Sequence, residues 1–249
     1  MHPQPILAGI GALGVRRLNW AQARQSAIAL RRNCFARGAP VEDSLDLSST
    51  HLLLGAPDGE IALGACRVLL VESLGQAGLT ASAAAYRVET LLERHPALRW
   101  AELSRFCLSP AARGRPALEA MWRALWRLMR EEGVGAIFGC ASLIGADFAR
   151  HAATLGALCD PVRNDPSWCV PARDPNAALR PEPGLGRARL PSLLRGYAEL
   201  GAAFSPEATL DATFDTADVF VVQPVEALNR RYVAFFSQEK PTRLFQRRE

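Results

Sequence analysis

The sequence contains almost no lysine. Of the 29 basic residues among 249, only Lys240 is a lysine, so arginine supplies nearly all of the positive charge. A genome rich in G and C produces the same bias, so the positions of the arginines matter more than their number. The net charge is only +4, and aromatic residues are not interleaved with the arginines. We therefore expect no nucleic-acid partner.

Paired cysteines and long hydrophobic runs are also missing. The six cysteines include no Cys-x-x-Cys pair, and no histidine lies at metal-ligand spacing from one. We interpret them as small buried residues in a reducing cytoplasm, and we expect no metal site. The apolar run at 5–15 is far shorter than the roughly 20 residues of a membrane span. No basic segment precedes this run, so we expect no signal peptide and a cytoplasmic protein, with peripheral contact to the inner membrane left open.

The hydrophobic pattern indicates one large domain. Hydrophobic residues make up 49% of the chain, which is enough for a sizeable core. We divide the chain into an N-terminal extension at 1–18, a domain at 19–239 and a basic tail at 240–249. The proline-rich stretch at 160–189 predicts a long surface loop within the domain.

Helices and strands alternate only in part, which favours an α/β fold with a central mixed sheet and helices on both faces. Periodicity and turn signals predict the elements. The expected helices lie at 20–35, 86–94, 115–132, from about 145, at 190–202 and at 225–236; the expected strands lie at 50–55, 60–73, 100–108, 136–143 and 217–225.

An arginine-glycine loop joins the strand at 100–108 to the helix at 115–132. Arg113 and Arg115 precede a helix N-terminus, which offers unpaired amides and the positive end of the helix dipole. This pattern predicts an anion site, and phosphate is the usual ligand of such a site. The alternative is a solvated basic turn before an ordinary amphipathic helix. The Gly-Lys-Ser/Thr ending of a nucleoside-triphosphate loop is absent.

Two charged residues lie three positions apart on the strand before this loop. In a regular strand Glu102 and Arg105 point to opposite faces, but a bulge between them would bring both to one face. A carboxylate beside a phosphate loop is a candidate general base. The alternative is a partner in a structural salt bridge.

Strand, bulge, loop and helix together resemble the acyl-CoA site of the GCN5-related N-acetyltransferase (GNAT) superfamily. The usual loop is Arg/Gln-x-x-Gly-x-Gly/Ala, which the run Arg113-Gly114-Arg115-Pro116-Ala117 matches only in part. A phosphopantetheine on a carrier protein has one phosphate and needs less of a cradle than coenzyme A. The resemblance implies a GNAT-like fold and pantetheine binding along the strand at Phe106, Cys107 and Leu108.

A narrower resemblance concerns acyl-homoserine-lactone synthases. The run "ELSRF" at 102–106 is similar to their Glu-x-x-Arg motif. Other positions agree in order and spacing, although the tryptophan expected soon after the first helix is absent. These positions are Arg31 and Phe35 on the first helix, Asp43 and Asp46 in the loop after it, and Arg67 on the second strand.

The C-terminal third resembles bacterial L-ornithine N-alpha-acyltransferases, a family also labelled hemolysin-like. The similar tracts are "IFGCASLIGAD", "LPSLLRGYAELGA" and "TFDTADVFVVQPVEALNRRYVAFF". This resemblance implies transfer of a 3-hydroxyacyl group from acyl carrier protein to the alpha-amine of ornithine, giving lyso-ornithine lipid without a bound cofactor. A lactone synthase and a non-catalytic acyl-binding or regulatory module are the alternatives.

The resemblance also implies roles for the quoted residues. Glu102 is the candidate base, and Asp43 and Asp46 are candidates for binding a cationic amino acid. Arg67 and Arg105 would orient these aspartates or bind the substrate carboxylate. The alternative for these four binding residues is a buried salt-bridge network.

The helix after the loop carries a basic stripe and an apolar stripe. The basic stripe is the expected docking surface for an acidic carrier protein, and it comprises Arg113, Arg115, Arg123, Arg127 and Arg130. Large apolar side chains are candidates either for an acyl tunnel or for ordinary core. They are Met121, Trp122, Trp126 and Phe138.

Overall fold

A mixed sheet of nine strands organises the described part of the chain. The computed structural model describes residues 6–56, 61–159, 165–181, 190–228 and 233–234. The strands are β1 (Ile6–Ile10), β2 (Leu13–Leu18), β3 (Thr50–Gly55), β4 (Gly64–Val71), β5 (Trp100–Leu108), β6 (Ala136–Ile144), β7 (Ala178–Leu179), β8 (Ala203–Asp211) and β9 (Thr216–Pro224).

Helices lie on both faces of this sheet. They are α1 (Trp20–Cys34), α2 (Leu45–Ser48), α3 (Leu74–Ala77), α4 (Glu89–Arg94), α5 (Arg115–Glu131), α6 (Phe148–Leu158) and α7 (Ser192–Leu200), with short 3-10 helices at Ser82–Ala84, Pro110–Ala112 and Pro166–Trp168. None of the helices in the described ranges combines the length and the apolar character that crossing a bilayer requires.

The sheet opens into a cleft between β5 and β6. The strand order is β1-β2-β3-β4-β5-β6-β9-β8-β7, and β5 and β6 are the parallel pair. Only three residue pairs join them, ending at Glu102 with Phe138. Beyond this point β5 stays paired with β4, while β6 stays paired with β9. The result is a V-shaped cleft with its apex next to Glu102.

Alternate residues of the strands build two separate cores. Ala101 and Leu103 of β5 pack beneath Met121 and Leu125 of α5. On the opposite face Trp100 packs with residues of β6 and β9. Because successive strand residues face opposite sides, Glu102 lies on the face away from α5.

A glycine occupies the apex of the cleft. A Cβ added to Gly139 would lie 2.3 Å from the backbone oxygen of Leu103. Since that atom belongs to the backbone, no side-chain movement relieves the overlap. The close approach of β5 and β6 at the apex therefore requires glycine.

Most elements expected from the sequence are confirmed within one to three residues, including α1, β5, α5, β6, α7 and β9. The N-terminal segment differs, because its described part, 6–18, forms β1 and β2 instead of an extension. The run at 5–15 is too short for a membrane span but long enough for strands, and β2 pairs with β3. β8 was missed as well, since Pro206 lies in a bulge that interrupts its strand pattern.

The other differences concern the middle and the end of the chain. The helix expected at 86–94 begins only at Glu89. The described part of the expected loop at 160–189 contains one 3-10 helix and the short β7. The helix expected at 225–236 lies mostly outside the described residues, and the tail at 240–249 lies entirely outside them.

We predict that Gly139→Ala lowers the free energy of unfolding by about 1–3 kcal/mol, as overpacking does. Chemical denaturation of the two proteins measures the difference. Gly196→Ala is the control, because nothing lies within 4 Å of the added methyl group and alanine favours a helix by about 0.5–1 kcal/mol. Equal stability of the Gly139 variant and the parent would contradict the close packing at the apex.

Candidate functional site

The bulge expected on β5 lies at Arg105. The register with β4 shifts there, and Arg105 has a φ of 54°. The extra residue turns the Arg105 side chain towards the loop after α1, where Nη1 donates to the Pro40 carbonyl at 2.7 Å. Glu102 and Arg105 therefore share the face of the sheet that lies away from α5.

Glu102 is fully buried at the apex of the cleft. Its Oε2 accepts a hydrogen bond from the amide of Ala81 at 3.0 Å, and its Oε1 accepts one from the amide of Ser82 at 2.7 Å. Two backbone donors thus fix the orientation of the carboxyl group, and they also anchor the segment between α3 and α4 to the sheet.

An ion-pair network lies beside Glu102 on the same face. Asp46 is fully buried, and both of its oxygens accept from Arg31 at 3.0 Å. Asp43 accepts from Arg67 at 2.5 Å and from Arg105 at 2.6 Å. Arg67 also donates to Asp46 at 3.4 Å. Three guanidinium groups thus surround two carboxylates.

The balance of charge in this network is positive. Burial by itself raises the pKa of Asp43, but Arg105 and Arg67 outweigh it and hold that pKa below its usual range. Burial lowers the pKa of His51, which therefore adds no charge at neutral pH. The network has a net charge of about +1, which suits an anion better than a cation.

One nitrogen of the Arg67 guanidinium group donates no hydrogen bond to the described residues. Its side chain is fully buried, its Nε donates to Ser104 at 2.9 Å, and its Nη2 has no hydrogen-bond partner among the described residues. Buried donors are normally satisfied.

The four carboxylate oxygens of Asp43 and Asp46 already accept from arginines. The assignment of these aspartates to a cationic substrate stays a prediction.

Aromatic rings close the mouth of the cleft on this face. The Arg105 guanidinium carbon lies 5.8 Å from the ring centre of Phe35 and 4.7 Å from that of Phe214. The two rings meet edge to face at 5.5 Å. Phe214 lies in the turn between β8 and β9, so the contact joins the two arms of the sheet. Only its place in a tract similar to the acyltransferases singled this turn out in the sequence.

The arginine loop leads from β5 to the N-terminus of α5. Gly114 is the N-cap, no side chain caps the helix, and its first turn contains no acidic residue. Arg113 and Arg115 are exposed beside it. Unpaired amides and two arginines therefore favour an anion here. Gly114 has a φ of 172°, which any residue adopts, and Ala117 is buried in the core beneath the loop.

The basic surface is smaller than expected. Arg127 and Arg130 are exposed, but Arg123 is buried and forms an ion pair with Glu119 at 3.2 Å. Its place on an exposed docking surface was therefore wrong. β1 packs along α5, so the helix is covered over more of its surface than its apolar stripe indicated.

The strand between bulge and loop is partly accessible. Phe106 and Leu108 are half-buried, whereas Cys107 is buried. The Cys34 thiol donates to the Leu108 carbonyl at 3.5 Å. A hydrogen bond from Cys107, together with the charge of Arg113, lowers the pKa of Cys34 to about 7.

The four candidates for an acyl tunnel do not lie together. Trp122 and Trp126 line a small recess with Met129, Ile137, Leu200, Gln223 and Leu228. Met121 belongs to the core beneath α5, and Phe138 to the core on the other face.

Across the described ranges, no group of three or more histidine, cysteine or acidic side chains is arranged to hold a metal ion.

Comparison with known proteins gives a family and a fold. The family model described as an acetyltransferase (GNAT) domain matches residues 35–123. An L-ornithine N(alpha)-acyltransferase of Brucella abortus (strain 2308) is 33% identical, over 94% of this chain and 92% of that protein. One of Rhizobium meliloti (strain 1021) is 32% identical, over 79% of this chain and 71% of that protein.

Two solved structures share the fold. FeeM, an N-acyl amino acid synthase from uncultured soil microbes, superposes with a TM-score of 0.51 at 13% identity, covering 86% of this chain and 91% of its own. The GNAT-like decarboxylase GphF gives a TM-score of 0.50 at 16% identity, covering 84% and 98%. The expected GNAT-like fold, a mixed sheet flanked by helices, is confirmed.

We predict that Asp46→Asn lowers the free energy of unfolding by about 3–5 kcal/mol, because it leaves the buried Arg31 without its counter-charge. Denaturant titration measures the loss. Glu42→Gln is the control, since it removes an exposed ion pair with Arg24 and should leave the midpoint nearly unchanged. A midpoint for Asp46→Asn as high as that of the control would show that the network does not support the fold.

Proposed function

Since this chain belongs to the L-ornithine N(alpha)-acyltransferase family, we propose that it transfers a 3-hydroxyacyl group from acyl carrier protein to the alpha-amine of ornithine. The product is lyso-ornithine lipid. The observation that carries the proposal is the cleft itself, which has a buried carboxylate at its apex and an arginine-flanked helix N-terminus at its rim.

The edge of β5 that is not paired with β6 offers backbone groups for binding the acyl donor. Beyond Glu102 this edge has no pairing with β6, so backbone groups at Phe106 to Leu108 are available for an extended pantetheine arm. Their amides would hold the thioester carbonyl and stabilise the oxyanion that forms on it. The single phosphate of the arm would bind at the N-terminus of α5 with Arg113 and Arg115.

The arginine network favours binding of the carboxylate of the second substrate, ornithine. The net charge of about +1 and the unpartnered Nη2 of Arg67 favour the ornithine carboxylate. With the carboxylate bound near Arg67 and Arg105, the alpha-amine, two bonds from the carboxylate carbon, faces the apex of the cleft.

The chemical step needs a neutral amine. Glu102, directly or through a water molecule, accepts a proton from the alpha-ammonium group. The nitrogen then attacks the thioester carbonyl carbon, forming a tetrahedral intermediate. Attack forms the carbon–nitrogen bond; collapse of the intermediate then breaks the carbon–sulfur bond. The nitrogen loses its second proton to the leaving sulfur, so that an amide and the pantetheine thiol are released. General base catalysis of this kind contributes roughly 10²–10⁴-fold to the rate.

We predict that Glu102→Gln lowers the turnover number at least tenfold while carrier-protein binding persists, because glutamine cannot accept the proton. Turnover measured from pH 7 to 9 should recover partly as the free amine becomes abundant. The thermal unfolding midpoint reports any disturbance of the Ala81 and Ser82 hydrogen bonds. Parental rates across this range in a folded variant would remove Glu102 as the base.

We predict that Arg113→Ala lowers both turnover and donor affinity, since a phosphate contact also positions the thioester. Arg127→Glu and Arg130→Glu should instead slow association with carrier protein, as changes to rim charges do. Rates should fall with added salt, because exposed charges are screened over about 8 Å at physiological ionic strength.

The measurement is acyl transfer to ornithine at several salt concentrations, with acyl carrier protein and acyl-CoA as donors. Arg87→Glu, an exposed arginine outside the loop and α5, is the matched control for charge reversal. Preference for acyl-CoA, or transfer from carrier protein that ignores both salt and charge reversal, would overturn the carrier-protein donor.

A further inference from the structure

A buried carboxylate lies on the second arm of the cleft. Asp218 of β9 is only 9% exposed, and its Oδ1 has no hydrogen-bond partner among the described residues. Buried charges are normally paired, because desolvation without a partner is costly. The hydroxyl groups of Ser142 and Thr216 contact this carboxyl group, but no cationic side chain among the described residues forms a salt bridge with it. The site therefore indicates a cationic partner from outside those residues.

Asp218 faces the same side of the sheet as Glu102 and Arg67. Its neighbours Ala217 and Val219 belong to the core on the opposite side, while Phe220 packs with Trp100 on this side. Asp218 is the register partner of Ser142 on β6. The carboxylate thus lies on the wall of the cleft formed by β6 and β9.

The position along the cleft follows from the registers. Arg67 pairs with Ser104, and the last β5–β6 pair is Glu102 with Phe138. Ser142, and with it Asp218, lies four residues beyond that apex, whereas Ser104 lies two residues beyond it. Three strand spacings give a separation of at least about 14 Å between the Cα atoms of Arg67 and Asp218. The two side chains and a diamino acid span such a distance together.

Electrostatics on this wall agree with an acidic site. Burial and the charge of Asp218 raise the pKa of the Cys140 thiol, and Glu102 adds to this effect. Burial also raises the pKa of Asp218 itself, although the hydroxyl groups of Ser142 and Thr216 oppose the shift. A cation bound here would stabilise the ionised carboxylate.

We propose that Asp218 binds the side-chain ammonium group of the acceptor and thereby selects a diamino acid. This inference rests on the proposed function and refines it. Asp43 and Asp46 are engaged by arginines, so Asp218 replaces them as the group that binds the cation. Arg67 and Asp218 would then bind opposite ends of ornithine, with its alpha-amine between them and near Glu102.

The test compares ornithine with norvaline, which has the same carbon chain without the terminal amine. We predict that Asp218→Asn raises the KM for ornithine at least tenfold and leaves the KM for norvaline unchanged. Ornithine should raise the thermal unfolding midpoint of the parent but not that of the variant. Glu226→Gln is the control, because it makes the same charge change at an exposed position beyond β9.

A second variant makes the test independent of lost stability. Asp218→Glu extends the carboxylate by one methylene group, so preference should shift from ornithine towards 2,4-diaminobutyrate, which is one methylene shorter. An unchanged preference in both variants would overturn the role of Asp218 and leave ornithine acylation standing. A parent enzyme without preference for ornithine over norvaline would overturn the ornithine substrate, and with it the cation site.

Discussion

The site depends on the separation of two neighbouring strands. β5 and β6 pair over three residues and then diverge, because β5 keeps its register with β4 and β6 keeps its register with β9. Gly139 permits the close approach at the apex, and the bulge at Arg105 turns one more charged side chain into the cleft. Continuous pairing of β5 with β6 would satisfy these backbone groups within the sheet and leave no free strand edge.

Charge is divided between the two arms of the cleft. The arm of β4 and β5 carries an arginine excess around Asp43 and Asp46, while the arm of β6 and β9 carries Asp218, whose Oδ1 has no partner among the described residues. Glu102 lies at the apex between them. An amino acid with a carboxylate at one end and an ammonium group at the other fits this polarity, and its alpha-amine then lies near Glu102.

Local patterns predicted the elements that carry their own signals. The strand at 100–108 and the helix after it follow from periodicity, the loop between them from its arginines and glycine, and the bulge from the spacing of Glu102 and Arg105; the structure contains all four. The burial of Arg123 and the places of Phe214 and Asp218 in the cleft depend on elements that are distant in the chain and pack against them. Local sequence patterns do not specify such contacts. β8 was missed because a bulge with proline conceals its alternation.

The central claim is that this cleft acylates the alpha-amine of ornithine from a carrier-protein thioester. The most direct measurement is tandem mass spectrometry of the product formed by the purified protein from 3-hydroxyacyl carrier protein and ornithine labelled with nitrogen-15 at the alpha position. The account predicts an amide that contains the labelled nitrogen and a free terminal amine. An amide on the unlabelled terminal nitrogen, or formation of a lactone without amide transfer to ornithine, would contradict it.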